Sequence, residues 1–195
     1  MITDKIIKPS QCAIGFGIPT NKADFYHDKT RQDKDFAKRF KTWPMYKDQI
    51  VDHFNQAEVT IKQLGVFVIE QFTIDAFRDF FLQDRFDVII LFSHWKKQTI
   101  EFHDGLKHFS DIIDAVPLDF SGIIDLCVCH PKDLRIGLDN KRPKCIVKFT
   151  TEDALPWFWI IFYQALFMYL QLNDSTYIEA VETVFKKFQH ASRKM

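Results

Sequence analysis

The chain has 195 residues, and its 26 Lys and Arg side chains balance 26 Asp and Glu side chains, so the formal net charge is zero. This balance argues against a general nucleic-acid-binding protein, which carries a basic excess or a basic stripe. The 47% hydrophobic content argues against a disordered chain, and the length predicts one domain over residues 1–195.

The apolar pattern along the chain predicts strands and helices in alternation. The predicted strands are, in chain order, Cys12–Ile18, Val66–Glu70, Asp87–Phe92, Thr99–Phe102, Gly122–Cys129 and Lys144–Phe149. The predicted helices are Asp35–Trp43, Tyr46–Leu64, Thr73–Gln83, Leu106–Val116, Asp153–Leu172 and Ser175–Phe188. Pro19–Lys34 is predicted to be a loop or an insertion, and Pro131–Pro143 is predicted to be a loop that contains one turn of helix. Buried strands joined by helical crossovers predict an α/β fold with a mostly parallel central sheet flanked by helices.

The cysteines and the opening residues indicate a reducing compartment. Met1–Pro9 carries lysines and no long apolar run, so we expect no secretory signal, a cytoplasmic location and free thiols. Cys127 and Cys129 form C-x-C rather than the C-x-x-C pair of zinc sites, and no second pair exists. We therefore expect neither a metal nor another cofactor.

One uncharged stretch, Ala154–Leu172, is nearly long enough to span a membrane. A spanning helix needs about 20 apolar residues, and its ends are usually marked by Lys or Arg. Here Pro156 lies near the start and acidic residues flank both ends. The stretch is therefore predicted to be a buried helix, and no membrane partner is expected.

Two residues that carry nucleophilic chemistry follow two predicted core strands. His94 comes after the run DVIILF, and Cys129 comes at the end of GIIDLCVC. In an open α/β sheet, sites lie beyond the carboxyl ends of the strands, and neighbouring strands are about 5 Å apart. A thiol beside an imidazole that accepts its proton is a competent nucleophile for acyl transfer. Strand alternation puts Cys127 on the same face as Cys129 and Asp125, so Cys127 is an alternative nucleophile.

The order of these motifs resembles the CHAT group of caspase-like, clan CD cysteine peptidases. The segment DVIILFSHWKKQTIEFHDGL is similar to the strand, histidine and hairpin of that family, and GIIDLCVCHP is similar to its cysteine strand. The segment CIVKFTTEDALPWFWIIFYQALF resembles the later strand, acidic residue and helix. The resemblance covers roughly residues 66–188 and implies a caspase-like three-layer sandwich.

The resemblance also implies residue roles. His94 would be the general base and acid, Cys129 the nucleophile, and the backbone N–H groups of Trp95 and Cys129 the oxyanion donors. Asp125 and Asp153 would lie near a substrate pocket; otherwise Asp125 is a buried carboxylate that needs a partner.

The implied activity is that of an endopeptidase on protein substrates, controlled in trans by a regulatory protein partner in prokaryotic defence. One departure favours an alternative. Trp95 follows His94 where the family usually has glycine, which favours a catalytically inactive binding or scaffold module.

Overall fold

A parallel sheet forms the centre of the computed structural model, which describes residues 2–27, 40–129, 131–149 and 156–192. The strands are β1 (Cys12–Phe16), β2 (Phe67–Ile69), β3 (Val88–Phe92), β4 (Trp95–Lys96), β5 (Thr99–Phe102), β6 (Gly105–His108), β7 (Ile123–Cys127) and β8 (Ile146–Phe149). The central sheet has five strands in the order β2-β1-β3-β7-β8, and each neighbouring pair is parallel. The predicted α/β fold with a mostly parallel sheet is thus confirmed.

Helices cover both faces of this sheet and give a three-layer sandwich. The helices are α1 (Lys22–His27), α2 (Trp43–Tyr46), α3 (Asp52–Gln63), α4 (Ile74–Phe80), α5 (Phe109–Ala115), α6 (Lys132–Lys141), α7 (Pro156–Leu172) and α8 (Tyr177–Ser192). A π-helical segment, Lys47–Val51, joins α2 to α3. Helices α3, α7 and α8 pack on one face, and α4, α5 and α6 pack on the other.

The central strands are buried on both sides because each face of the sheet has its own apolar core. Ile90 and Phe92 of β3 point into the core under α3, α7 and α8. Ile89 and Leu91 point into the core under α4, α5 and α6. An uninterrupted apolar run is what a parallel strand covered on both faces requires.

A second, smaller sheet follows β3 directly. It contains β4, β5 and β6 in antiparallel order. The predicted strand Thr99–Phe102 is confirmed as β5, but the helix predicted over Leu106–Val116 begins only at Phe109. The backbone N–H of Ser110 donates to Nδ1 of His108 at 3.3 Å, so His108 ends the strand and caps α5.

Two segments that were predicted to be mostly loop contain helices. Pro131–Pro143 holds α6, in which Leu134 and Leu138 are buried four residues apart. Pro19–Lys34 holds α1, which begins after Asn21, whose side-chain carbonyl accepts the Asp24 N–H at 3.0 Å. Both segments contain few apolar residues, so the regular spacing of apolar residues that predicts a helix is weak in them.

Of the predicted helix Asp35–Trp43, the described residues 40–42 are not helical, and a separate helix, α2, begins at Trp43. Pro44 lies in the first turn of α2, where its missing N–H needs no intrahelical partner. Residues 28–39, including most of the predicted helix Asp35–Trp43, lie outside the described residues. The predicted helix Tyr46–Leu64 is confirmed, and it ends at Gly65, which has a φ of 91°.

The apolar stretch near the carboxyl end forms α7, which packs between α3 and α8. Its buried residues include Trp159, Phe162, Tyr163 and Phe167, as predicted for a core helix. Within the described ranges, no helix has both the length and the hydropathy to cross a membrane. Asp153, at the predicted start of this helix, lies outside the described residues.

Candidate functional site

The register of two central strands aligns the predicted histidine and cysteine. Parallel pairing sets Phe92 of β3 opposite Cys127 of β7. The ladder continues one step further, because the Ser93 N–H donates to the Cys127 carbonyl at 3.1 Å. His94 lies two residues after Phe92, and Cys129 lies two residues after Cys127. Both therefore leave the sheet at its carboxyl edge, on adjacent strands.

The segment that carries His94 is tied to the smaller sheet. The Glu101 N–H donates to the His94 carbonyl at 3.0 Å. The hydroxyl of Ser93, which is buried, donates to the carbonyl oxygen of Glu101. These contacts fix the backbone before and at His94, and the His94 side chain remains partly exposed.

Exposure distinguishes the two candidate nucleophiles. Cys129 is exposed, whereas Cys127 is 5% exposed and lies in the core under α7 and α8. Burial raises the pKa of the Cys127 thiol well above its ordinary value, and the negative charge of Asp125 raises it further. The thiolate is the reactive form of cysteine. The geometry therefore favours Cys129 over Cys127.

Asp125 lies inside the core rather than at the sheet edge. It is 5% exposed, and its Oδ2 accepts a hydrogen bond from the Tyr177 hydroxyl at 2.7 Å. Burial raises the pKa of Asp125; bonds from Tyr177 and Tyr163 and the charge of Lys148 act in the opposite direction. This environment matches the alternative of a buried carboxylate with a partner. Asp153, the other predicted pocket residue, lies outside the described residues.

The side chain and the backbone N–H of Trp95 face different parts of the structure. Its indole packs, partly buried, on the core that contains Ile100 and Phe102. Trp95 also pairs with Ile100 in the antiparallel ladder, next to the bonded pair of His94 and Glu101. Bonded and non-bonded pairs alternate in such a ladder, so the Trp95 N–H points away from β5.

Other histidines lie in separate surroundings. His103 Nδ1 is 3.6 Å from Asp24 Oδ2, and His108 caps α5. His130 lies outside the described residues. Among the side chains that the structure describes, no three of the His, Cys, Asp and Glu types are grouped to hold a metal ion.

The sequence matches no known protein family and no curated protein.

A cavity of about 250 Å³ lies at the opposite edge of the sheet, near the start of β3 and β7. Its lining includes the aromatic rings of Phe81 and Phe120 and the carboxylates of Asp84 and Asp119. None of its lining residues is a nucleophilic thiol or an imidazole. His94 and Cys129 thus lie at the carboxyl edge and not in this cavity.

Three residues at the carboxyl edge were missed in the sequence. Ser93 and Glu101 are buried beside His94. Gly17, at the end of β1, lies so close that a Cβ there would overlap the Glu101 carbonyl and the Ser93 side chain. The only signal for Glu101 was a charged residue between two apolar ones in the predicted strand Thr99–Phe102.

Proposed function

We propose that the chain is a cysteine endopeptidase that cleaves protein substrates through a dyad of His94 and Cys129. The observation that carries this proposal is the register of β3 and β7, which brings both residues past the last matched pair on one edge. The exposure of Cys129 supports it, because a nucleophile has to meet its substrate. The resemblance to CHAT-type caspase-like peptidases supports the same assignment.

The reaction would proceed by acyl transfer. His94 accepts the thiol proton of Cys129, and the thiolate forms a C–S bond with the peptide carbonyl carbon. The N–H groups of Trp95 and Cys129 donate to the resulting oxyanion. Collapse breaks the C–N bond as His94 returns the proton to the leaving amine. Water, deprotonated by His94, then hydrolyses the acyl-enzyme and regenerates the thiol.

The setting of this activity is also part of the proposal. None of the four cysteines, all of which the structure describes, forms a disulfide, which is compatible with a cytoplasmic location because disulfides are rare there. Control would come from a regulatory protein partner in a prokaryotic defence system.

Alkylation of Cys129 by iodoacetamide tests the dyad. In the native protein we expect one adduct, on Cys129, because Cys12, Cys127 and Cys145 are buried. The pH midpoint of alkylation should lie below about 8.5, the ordinary thiol pKa. His94→Ala should move the midpoint up to that value, and His103→Ala, the control on a nearby turn, should not. A midpoint that does not respond to His94→Ala contradicts the dyad.

The second candidate function is a catalytically inactive binding or scaffold module. The tryptophan after His94 favours it, since its side chain is held in the core and restricts the backbone that would bind the oxyanion. Under this alternative, Cys129 alkylates like an ordinary exposed thiol. Cys129→Ala would then leave function intact, whereas in a peptidase it abolishes cleavage and preserves partner binding.

A further inference from the structure

The residue opposite His94 in the smaller sheet is a glutamate. The antiparallel ladder pairs Trp95 with Ile100 and Lys96 with Thr99. One step further along the same ladder, His94 faces Glu101, and the Glu101 N–H donates to the His94 carbonyl at 3.0 Å. Residues directly opposite in such a ladder have Cα atoms about 5.5 Å apart and side chains on the same side.

The residues buried on the other face of this ladder support the placement of Glu101 and His94 on one face. Ile100 and Phe102 of β5 both point into the core under α4, α5 and α6. Alternation along the strand therefore directs Glu101, between them, to the other side. Trp95 packs on the same core as Ile100, so its neighbour His94 also points to the other side. Two independent alternations thus place the carboxylate and the imidazole on one face.

The position of Glu101 is fixed by its surroundings. Its carbonyl oxygen accepts the Ser93 hydroxyl, and Gly17 leaves room for that carbonyl. Glu101 is 3% exposed. A buried carboxylate accepts hydrogen bonds, and an imidazole N–H on the same face can donate one.

We propose that Glu101 is a positioning residue for His94. Its carboxylate accepts a hydrogen bond from one ring nitrogen, which holds the other ring nitrogen unprotonated and turned towards Cys129. When His94 takes the thiol proton, the carboxylate stabilises the imidazolium that forms. A third group that orients the base in this way recurs in acyl-transfer sites. This inference rests on the proposed dyad.

Among the described residues, the strand registers align Glu101 of β5 and Cys129, two residues after β7, with His94; Lys96 of β4 also lies on the His94 side of its strand by alternation. The pH dependence of Cys129 alkylation therefore measures the influence of Glu101 through His94. With iodoacetamide as the probe, Glu101→Gln should raise the alkylation midpoint by about one pH unit, which is about a tenfold slower reaction at neutral pH. Gln keeps the size of the side chain and removes its charge.

Asp104→Asn is the matched control, because Asp104 is a carboxylate on the same hairpin that pairs with Lys107 at the surface. We expect it to leave the midpoint unchanged. Glu101→Asp should restore part of the shift, since it returns the charge. Equal midpoints for the wild type and Glu101→Gln would overturn the positioning role.

A measurement on the wild type covers the case in which Glu101→Gln does not fold. Long-range ¹H–¹⁵N spectra should show the His94 ring as one tautomer with a strongly deshielded N–H proton. A ring that exchanges between tautomers would overturn the inference.

The failure of the dyad and the failure of the Glu101 role give different results. If His94→Ala leaves the alkylation profile unchanged, the dyad fails; if His94→Ala shifts it and Glu101→Gln does not, only the role of Glu101 fails.

Discussion

The buried carboxylate of Asp125 should make the stability of this protein depend on pH, and Asp125→Asn should remove that dependence. The carboxylate lies in the core with the hydroxyl of Tyr177 at 2.7 Å. Burial is the largest influence on its pKa and raises it above the ordinary value. Asn has nearly the same shape, its carbonyl still accepts the Tyr177 hydrogen bond, and it never carries a charge.

The sign follows from the two protonation equilibria. Below the ordinary Asp pKa of 3.8, the folded and unfolded chains both hold the proton. As the pH rises above 3.8, the unfolded chain loses its proton first, so the free energy of unfolding falls by about 1.4 kcal/mol per pH unit. The fall stops once the pH has passed the raised pKa of the folded protein. Asp125→Asn should therefore be more stable than the wild type at pH 7, and this advantage should disappear in acid.

Urea unfolding between pH 4 and pH 7 measures the effect. Tyr177→Phe should extend the fall in stability to higher pH, because the hydroxyl that lowers the pKa of the buried Asp125 carboxyl is missing. Tyr46→Phe is the matched control, since the buried Tyr46 hydroxyl donates to the neutral Pro19 carbonyl at 2.7 Å. Its loss should be about 0.5–1.5 kcal/mol at every pH. Parallel pH curves for the wild type and Asp125→Asn would refute the reasoning.

Three further substitutions test the packing around the sheet, each by urea unfolding. Gly17→Ala should cost about 1–3 kcal/mol, because its Cβ would overlap the Glu101 carbonyl; wild-type stability would contradict this close approach. Arg142→Ala should lower the free energy of unfolding by about 1.5–3 kcal/mol, because the hydrogen bond from Arg142 Nε to the Val116 carbonyl is lost. Arg135→Ala is the control on the exposed face of α6 and should change the free energy of unfolding by less than about 0.5 kcal/mol. Thr73→Ala should cost about 1 kcal/mol, since its hydroxyl caps α4 at 3.1 Å, and an unchanged midpoint would show that the cap contributes nothing.

The sequence was informative where burial is continuous. β3 and β7 could be found because strands covered on both faces need unbroken apolar runs, and these runs set the parallel fold. α6 could not be predicted at its full length, because only Leu134 and Leu138 are buried in it. Gly137 also lowers the helix propensity of the segment, and a Cβ there would meet the terminal methyl group of Ile113 in α5. Two buried residues and a glycine left only a weak helical pattern.

The residues of the site that could be predicted from the sequence are those that follow the ends of strands. His94 and Cys129 stand where parallel strands leave a sheet, so their alignment could be expected before the register was known. Glu101 depends on a different register, that of β4 against β5. The turn that sets this register contains Lys97 with a φ of 55°, a conformation that glycine or asparagine usually marks. The sequence carries no such signal there.

The register also bears on the choice between the two proposed functions. His94 and Cys129 follow the two central strands that are buried on both faces, so their alignment is set by the pairing of these two strands. An inactive module would share this alignment, and its loss of activity would have to lie elsewhere. Trp95 is the residue at which the chain departs from the peptidase pattern, and its N–H is one of the two oxyanion donors in the proposed reaction. A reactive Cys129 that forms no acyl-enzyme would therefore locate the defect at Trp95 rather than in the dyad.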